Sequence, residues 1–115
     1  MGMIIESGQE AADNADILSG TRLATAPFGG VLSLYMQASD NDATNNYTAT
    51  VQLPGGDTPL SAVRIPCGRT SGLAGNLNDN DALIIEVPVQ QGGQVLFSCD
   101  ETGDAEFTWR AVFRY

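Results

Sequence analysis

Two acidic tetrapeptides, each reading Asp-Asn-Asp-Ala, are the part of this chain whose spacing could bind a metal ion. One begins at Asp40 and includes Asp42, and the other begins at Asp79 and includes Asp81. Carboxylate and amide oxygens are the ligands that Ca²⁺ prefers, and the ion takes about six to eight of them. Neither tetrapeptide continues into the glycine and the final glutamate of an EF-hand loop. A calcium site therefore requires that the two loops pool their oxygens.

The same residues also suit turns between strands. Asp and Asn side chains bond to their own backbone and tolerate left-handed conformations. Both tetrapeptides border strand-like sequence, and no similarity extends beyond the four residues. We therefore interpret them as turns with no metal and no cofactor, and keep a calcium site as the alternative for Asp40, Asp42, Asp79 and Asp81.

The composition argues against an enzyme. The chain contains no histidine and no lysine, so the commonest general base and the Schiff-base amine are both missing. Glu86 is the one carboxylate in a strongly apolar strand, where burial would raise its pKa. A solvent-facing strand residue or an arginine partner is the commoner interpretation. Cys67 and Cys99 have no histidine to activate them; we expect buried thiols, with a disulfide as the alternative.

The charge balance also restricts the partners. Five arginines face fourteen carboxylates, which gives a net charge of −9. Such a chain offers no basic surface for nucleic acid or for anionic lipid, so we expect neither as a partner. Charged residues make up 17% of the chain, below the usual value of about 25%. A surface with few long charged side chains loses little entropy on assembly, which weakly favours self-association.

Alternation of polar and apolar residues predicts the elements that would hold these loops. Strands are expected at 31–38, 46–53, 60–65, 82–87 (limited by Pro88), 95–99 and 105–115, with 21–26 as a further candidate. The last two are predicted to pair as a hairpin. Short strands separated by turn residues, with no long helical period, indicate an all-β fold. We predict an antiparallel β-sandwich or jelly-roll-like domain over residues 21–115.

Residues 1–20 differ from the rest and are predicted to form a short N-terminal arm or helix. Their middle is acidic and alanine-rich, and large aliphatic side chains occur only at the two ends. The segment has too few apolar residues to form a stable structure by itself. It must therefore pack on the β body, contact a neighbouring subunit or stay mobile. We expect the arm to be anchored by Ile4, Ile5, Ile17 and Leu18.

The final strand concentrates aromatic residues on one face. Phe107, Trp109, Phe113 and Tyr115 share that face by period two. Core packing is the ordinary role of such a stripe. Its end, from Trp109 through Phe113 to Tyr115, also has the Tyr, Phe and Arg content of subunit interfaces or of a sugar-binding surface.

The run from 20 to 60, together with the ending "DAEFTWRAVFRY", resembles the small head-decoration or capsid-stabilising (cement) proteins of tailed bacteriophages. The resemblance is one of size, acidic lysine-free composition, N-terminal arm and compact β body. It implies a structural virion protein that binds the major capsid protein and copies of itself, often as a trimer, on the capsid exterior. It also implies assembly in the host cytoplasm. The alternative is a carbohydrate- or calcium-binding β-sandwich module.

Overall fold

The computed structural model describes residues 1–38, 46–52, 61–66, 82–102 and 106–115. Within these ranges the chain forms β-strands and no helix, and every strand pair is antiparallel, which confirms the predicted all-β class. The strands in chain order are β1 (Met3–Glu10), β2 (Gly30–Ala38), β3 (Asn46–Gln52), β4 (Ser61–Pro66), β5 (Ala82–Val89), β6 (Leu96–Thr102) and β7 (Phe107–Arg114).

The strands form two sheets that share one core. The larger sheet has the order β1-β7-β2-β5, and the smaller has the order β4-β3-β6. Leu34 and Met36 of the larger sheet and Val51 and Phe97 of the smaller are fully buried in one hydrophobic cluster. The two sheets therefore pack face to face, as in a β-sandwich.

The burial of alternate residues in β7 shows which face of the larger sheet points into the core. Phe107, Trp109, Ala111 and Phe113 are buried, whereas Thr108, Arg110 and Arg114 are not. The register joins Trp109 to Gly8 of β1 and to Met36 of β2, so even-numbered residues of both neighbours share the inner face. The predicted aromatic stripe is therefore mainly core, which is its ordinary role.

The segment between β1 and β2 is neither a helix nor a free arm. Asn14 and Cys99 exchange two backbone hydrogen bonds of 3.1 and 2.9 Å, and the Ile17 N–H donates to the Phe97 carbonyl at 2.7 Å. Ile17 and Leu18 are 3% and 1% exposed. These contacts tie the segment to β6 along the open side of that strand, so the expectation of a helix here is wrong.

Three further expectations need correction. The predicted hairpin between 95–99 and 105–115 does not form, because β6 pairs with β3 whereas β7 pairs with β1 and β2. Alternation shows that a strand buries one face, but it does not identify the strand's partner. Residues 21–26 form turns rather than a strand. Pro88 does not end β5, because β5 lies at a sheet edge where a missing N–H is tolerated.

Candidate interaction surface

The calcium alternative falls on residues for which the structure gives no placement. The four residues Asp40, Asp42, Asp79 and Asp81 all lie outside the described ranges, so the calcium site that they would form stays a prediction. Among the residues that are described, no three His, Cys, Asp or Glu side chains come together as metal ligands would.

Of the candidate reactive groups, the structure describes Glu86 and Cys99. Glu86 is exposed and points away from the core. The idea that this carboxylate is buried in an apolar strand is therefore wrong, and the solvent-facing interpretation applies. Cys99 is a buried free thiol, 3.7 Å from the Ala12 carbonyl oxygen to which it donates. Burial raises the pKa of the Cys99 thiol to about 11, which opposes thiolate chemistry at neutral pH. Cys67 lies outside the described residues.

The seven residues expected at an interface divide by burial. Ile17, Leu18, Trp109 and Phe113 belong to the core, with exposures between 1% and 6%. Ile4 is partly buried and packs against that core. Only two of the seven are broadly accessible: Ile5 at 48% and Tyr115 at 40%.

Ile5 lies on β1, which is an edge strand, and Tyr115 follows β7 and pairs with Gly2 just before β1. Gly2 and Tyr115 exchange backbone hydrogen bonds of 2.6 and 2.9 Å, so even-numbered β1 residues point their N–H and C=O groups toward β7. The backbone groups of the odd-numbered residues, from Met3 onward, therefore point to the free edge. The Ile5 carbonyl accepts a 3.0 Å hydrogen bond from Arg22 Nη2, and Arg22 also pairs with Glu6.

Exposed apolar side chains lie on both faces of this edge: Met3 and Ile5 are on the outer face, and Tyr115, which stacks on Phe28, is on the inner side. Of the seven large exposed hydrophobic residues in the described ranges, five lie on β1 or beside the sheet end that it forms with the last strand. Phe28 and Tyr115 stack with ring centroids 4.4 Å apart. A Cβ on Gly2 would lie 2.5 Å from the Tyr115 ring, so this packing needs a glycine. We call this group the apolar edge: Met1, Met3, Ile5, Phe28 and Tyr115.

Next to the apolar edge, the outer face of the larger sheet carries two of the five arginines. Arg114 Nη1 donates to Ser33 Oγ at 3.2 Å, and the Arg110 guanidinium lies 5.2 Å from the Tyr35 ring centroid. Ser33 is fully buried although the register places it on the outer face. Long arginine side chains lying flat on a sheet can shield the residues beneath them. The arginine stems therefore account for the burial of Ser33, while Glu86 lies opposite Ser33 on the same face and is exposed.

A shallow depression of about 420 Å³ opens between β1 and β7. Its lining combines small and polar residues: Ser7, Gly8, Gln9, Thr108, Trp109 and Arg110. The Trp109 indole Nε1 is buried without a hydrogen-bond partner in the structure, which is unusual for a buried donor. The tryptophan ring itself is only 6% exposed, so it offers no open face for stacking.

Sequence reasoning missed Met3, Phe28 and the strand character of β1. The inner face of β1 carries Glu6, Gly8 and Glu10, so the apolar alternation that reveals a half-buried strand is absent. The available signal was weaker: Met3 and Ile5 flank Ile4 with no turn residue among them. An edge strand of this kind is recognised only after its partner is known.

No helix in the described part of the chain is both long and apolar enough to cross a membrane. Comparison of the whole chain with protein-family models, with curated proteins and with solved structures finds no match in any of the three.

Proposed function

We propose that this chain is a structural virion protein that binds the outside of a viral capsid, associates with copies of itself and stabilises the shell. The observation that carries the proposal is the order in which the strands pair. The composition and the apolar edge then favour this role over the others that the same architecture serves.

The strand pairing supports a jelly roll as the finer description of the fold. A jelly roll is a long antiparallel hairpin rolled into two sheets, so its first strand pairs with its last, its second with the one before last, and so on inward. Here β1 pairs with β7, β2 with β5 and β3 with β4. The bridge between Asn14 and Cys99 supplies the missing pair, because it joins the segment after β1 to β6.

Jelly rolls recur in viral capsid domains, in lectins and in cupins. A cupin-like metal centre is disfavoured because the whole chain contains no histidine, the commonest metal ligand. A net charge of −9 suits an outer position on a particle better than contact with packaged nucleic acid. The exposed apolar edge adds a surface that a partner would cover.

A carbohydrate-binding module is the second candidate, and one feature favours it. The depression between β1 and β7 presents polar side chains beside a buried indole N–H that has no partner among the described residues. Sugar sites usually add an accessible aromatic face, and Trp109 lacks one because its ring is 6% exposed. A glycan array that shows binding which is lost in Ser7→Trp, a substitution that fills the depression, would replace the virion proposal with this one.

Capsid binding is tested with heads of the virus that encodes the chain, assembled with and without it. We expect purified heads to retain the protein through a density gradient at a fixed ratio to the major capsid protein. Heads that lack it should break at a lower temperature and regain stability when the purified chain is added. Absence of retention and of any stability change would overturn the proposal.

A deletion of residues 1–19 is not a clean test of capsid binding. It would remove β1 from the larger sheet and Ile17 and Leu18 from the core, so lost retention would report unfolding. Single substitutions on the outer face of β1 should keep the fold, because its side chains lie outside the core, and are the better tool.

A further inference from the structure

We infer that the free edge of β1 is a docking site for a second copy of this chain, which pairs there antiparallel about a two-fold axis and joins the two larger sheets into one. The inference names the self-contact that the proposed function leaves open, and it rests on that function only for the expectation of self-association.

The first support is that no other described strand pairs with the outer edge of β1. Met3, Ile5 and Ser7 direct their N–H and C=O groups away from β7, and Arg22 covers one of these groups, the Ile5 carbonyl. Sheet edges are usually blunted by lysine, proline or a bulge. β1 contains no lysine and no proline, and its register with β7 runs without a shift. It therefore offers a straight template for another strand.

The second support is the placement of side chains on that edge. Met3 and Ile5 are 54% and 48% exposed and lie on the outer face of the sheet. Ile4, between them, faces inward and packs against the core. An added strand would cover apolar residues on one face of the new pairing and continue the core on the other. Burial of the outer pair is the main driving force expected for this contact.

The third support is that β1 complements itself in an antiparallel register that pairs residues 1–7 of both copies. With the axis at Ile4, that residue faces its own copy, Met3 faces Ile5 of the second copy, and Gly2 faces Glu6. Apolar residues then meet apolar residues, and no two carboxylates are opposed. Moving the axis by one residue, to Ile5, places Ile4 against Glu6, and moving it by two, to Glu6, places the Glu6 carboxylates against each other. This self-complementarity favours a second copy over an unrelated strand.

Arg22 must give way for the pairing to form. Its hydrogen bond to the Ile5 carbonyl occupies an acceptor that the Met3 N–H of the second copy would use. The arginine is 68% exposed and keeps Glu6 as a partner, so the movement required is small. Arg22→Ala should therefore leave the dimer at least as tight as in the unaltered chain.

Sedimentation over a concentration series tests the contact, with a matched pair of variants. Ile5→Lys places a charge on the proposed edge and should weaken the dimer by at least about tenfold. Leu83→Lys is the control, because Leu83 is 52% exposed on β5 at the opposite edge of the same sheet. We expect it to leave the dimer unchanged. A monomer at all concentrations, or equal weakening by both variants, would overturn the inference.

A cross-link fixes the register and does not depend on how tight the dimer is. Ile4 would sit at a non-hydrogen-bonded pair, where Cα atoms lie about 4.5 Å apart and within disulfide range. Ile4→Cys should therefore form a covalent dimer under mild oxidation. Glu6→Cys is the control, since two copies of Glu6 would lie about 14 Å apart. Cross-linking of both variants, or of neither, would overturn the register.

These results are separable from the test on heads. A chain that dimerises through β1 but does not bind heads refutes the proposed function and keeps this inference. A chain that binds heads while Ile5→Lys and Leu83→Lys sediment alike refutes this inference and keeps the proposed function.

Discussion

Two adjacent glycines at the start of β2, Gly29 and Gly30, should respond differently to substitution by alanine, which adds one methyl group. A Cβ on Gly30 would overlap the Arg114 carbonyl oxygen and would lie 2.9 Å from Phe113 Cζ and 3.1 Å from the Arg114 carbonyl carbon. A Cβ on Gly29 would have Val89 O, at 4.0 Å, as its nearest neighbour. Gly30→Ala should therefore destabilise the fold, whereas Gly29→Ala should not.

The expected magnitude follows from what would have to move. Overpacking costs about 1–3 kcal/mol, and the upper end applies here because two of the three neighbours of Gly30 are backbone atoms of β7. Phe113 cannot give way easily, since it is 1% exposed in the core. Gly29→Ala restricts the unfolded chain and should gain up to about 1 kcal/mol. The two variants should thus differ by about 3–4 kcal/mol in unfolding free energy, or by roughly 10–15 °C in Tm.

Urea unfolding followed by the fluorescence of the single tryptophan, Trp109, measures this difference, because that residue is buried beside the strand in question. Both variants should keep the m-value of the unaltered chain, which shows that the unfolding transition itself is unchanged. Unfolding free energies that agree within about 1 kcal/mol would refute the close approach of Gly30 to β7.

Three other predictions concern the core and two titrating groups. Leu34→Ala should cost about 2–5 kcal/mol because Leu34 is fully buried, whereas Leu96→Ala, at a side chain 39% exposed, should cost less than about 1 kcal/mol in the same urea assay. Burial raises the pKa of the Cys99 thiol from 9.0 to about 11, so the contribution of the thiol to stability is complete below pH 9 and is lost as the pH rises through 11. The difference in unfolding free energy between the unaltered chain and Cys99→Ala, obtained from thermal melts, should therefore shrink by about 2 kcal/mol over that interval. The hydrogen bond from Arg22 lowers the pKa of Glu6 below 4.5, so any stability lost in Arg22→Gln should be measurable above that pH and should disappear as the pH falls through the lowered value.

The sequence predicted the strands better than it predicted their partners. Six strands were expected within a few residues of β2 to β7, because each is either a period-two alternation or a short apolar run bounded by turn residues. β1 was missed because Glu6 and Gly8 occupy its inner face, where apolar residues would have marked it. The hairpin of the last two strands was wrong because β6 and β7 each pair with strands that are distant in the chain. The first strand meets the last across nearly the whole chain.

The candidate surface was predicted in the same partial way. Ile5 and Tyr115 were expected at an interface and are exposed, but Ile17 and Trp109 were expected there too and are buried. Residue type cannot separate these cases, since each is a large hydrophobic residue. What separates them is position: Ile5 faces outward on an edge strand, whereas Ile17 lies where the chain returns along β6. That information exists only once the two sheets are assembled.

Folding and assembly meet in β1, and this limits how they can be studied apart. The strand supplies Ile4 to the core and leaves Ile5 outside, so adjacent residues serve the two processes. Truncation of the N-terminus removes both contributions together. Substitutions restricted to the odd-numbered residues change the outer face without touching the hydrogen bonds to β7, which the even-numbered residues make. If the two processes are separable, Ile5→Lys should lower self-association while its unfolding free energy, measured on the dilute monomer, stays within about 0.5 kcal/mol of the unaltered chain. A larger loss would mean that Ile5 supports the fold of the monomer itself.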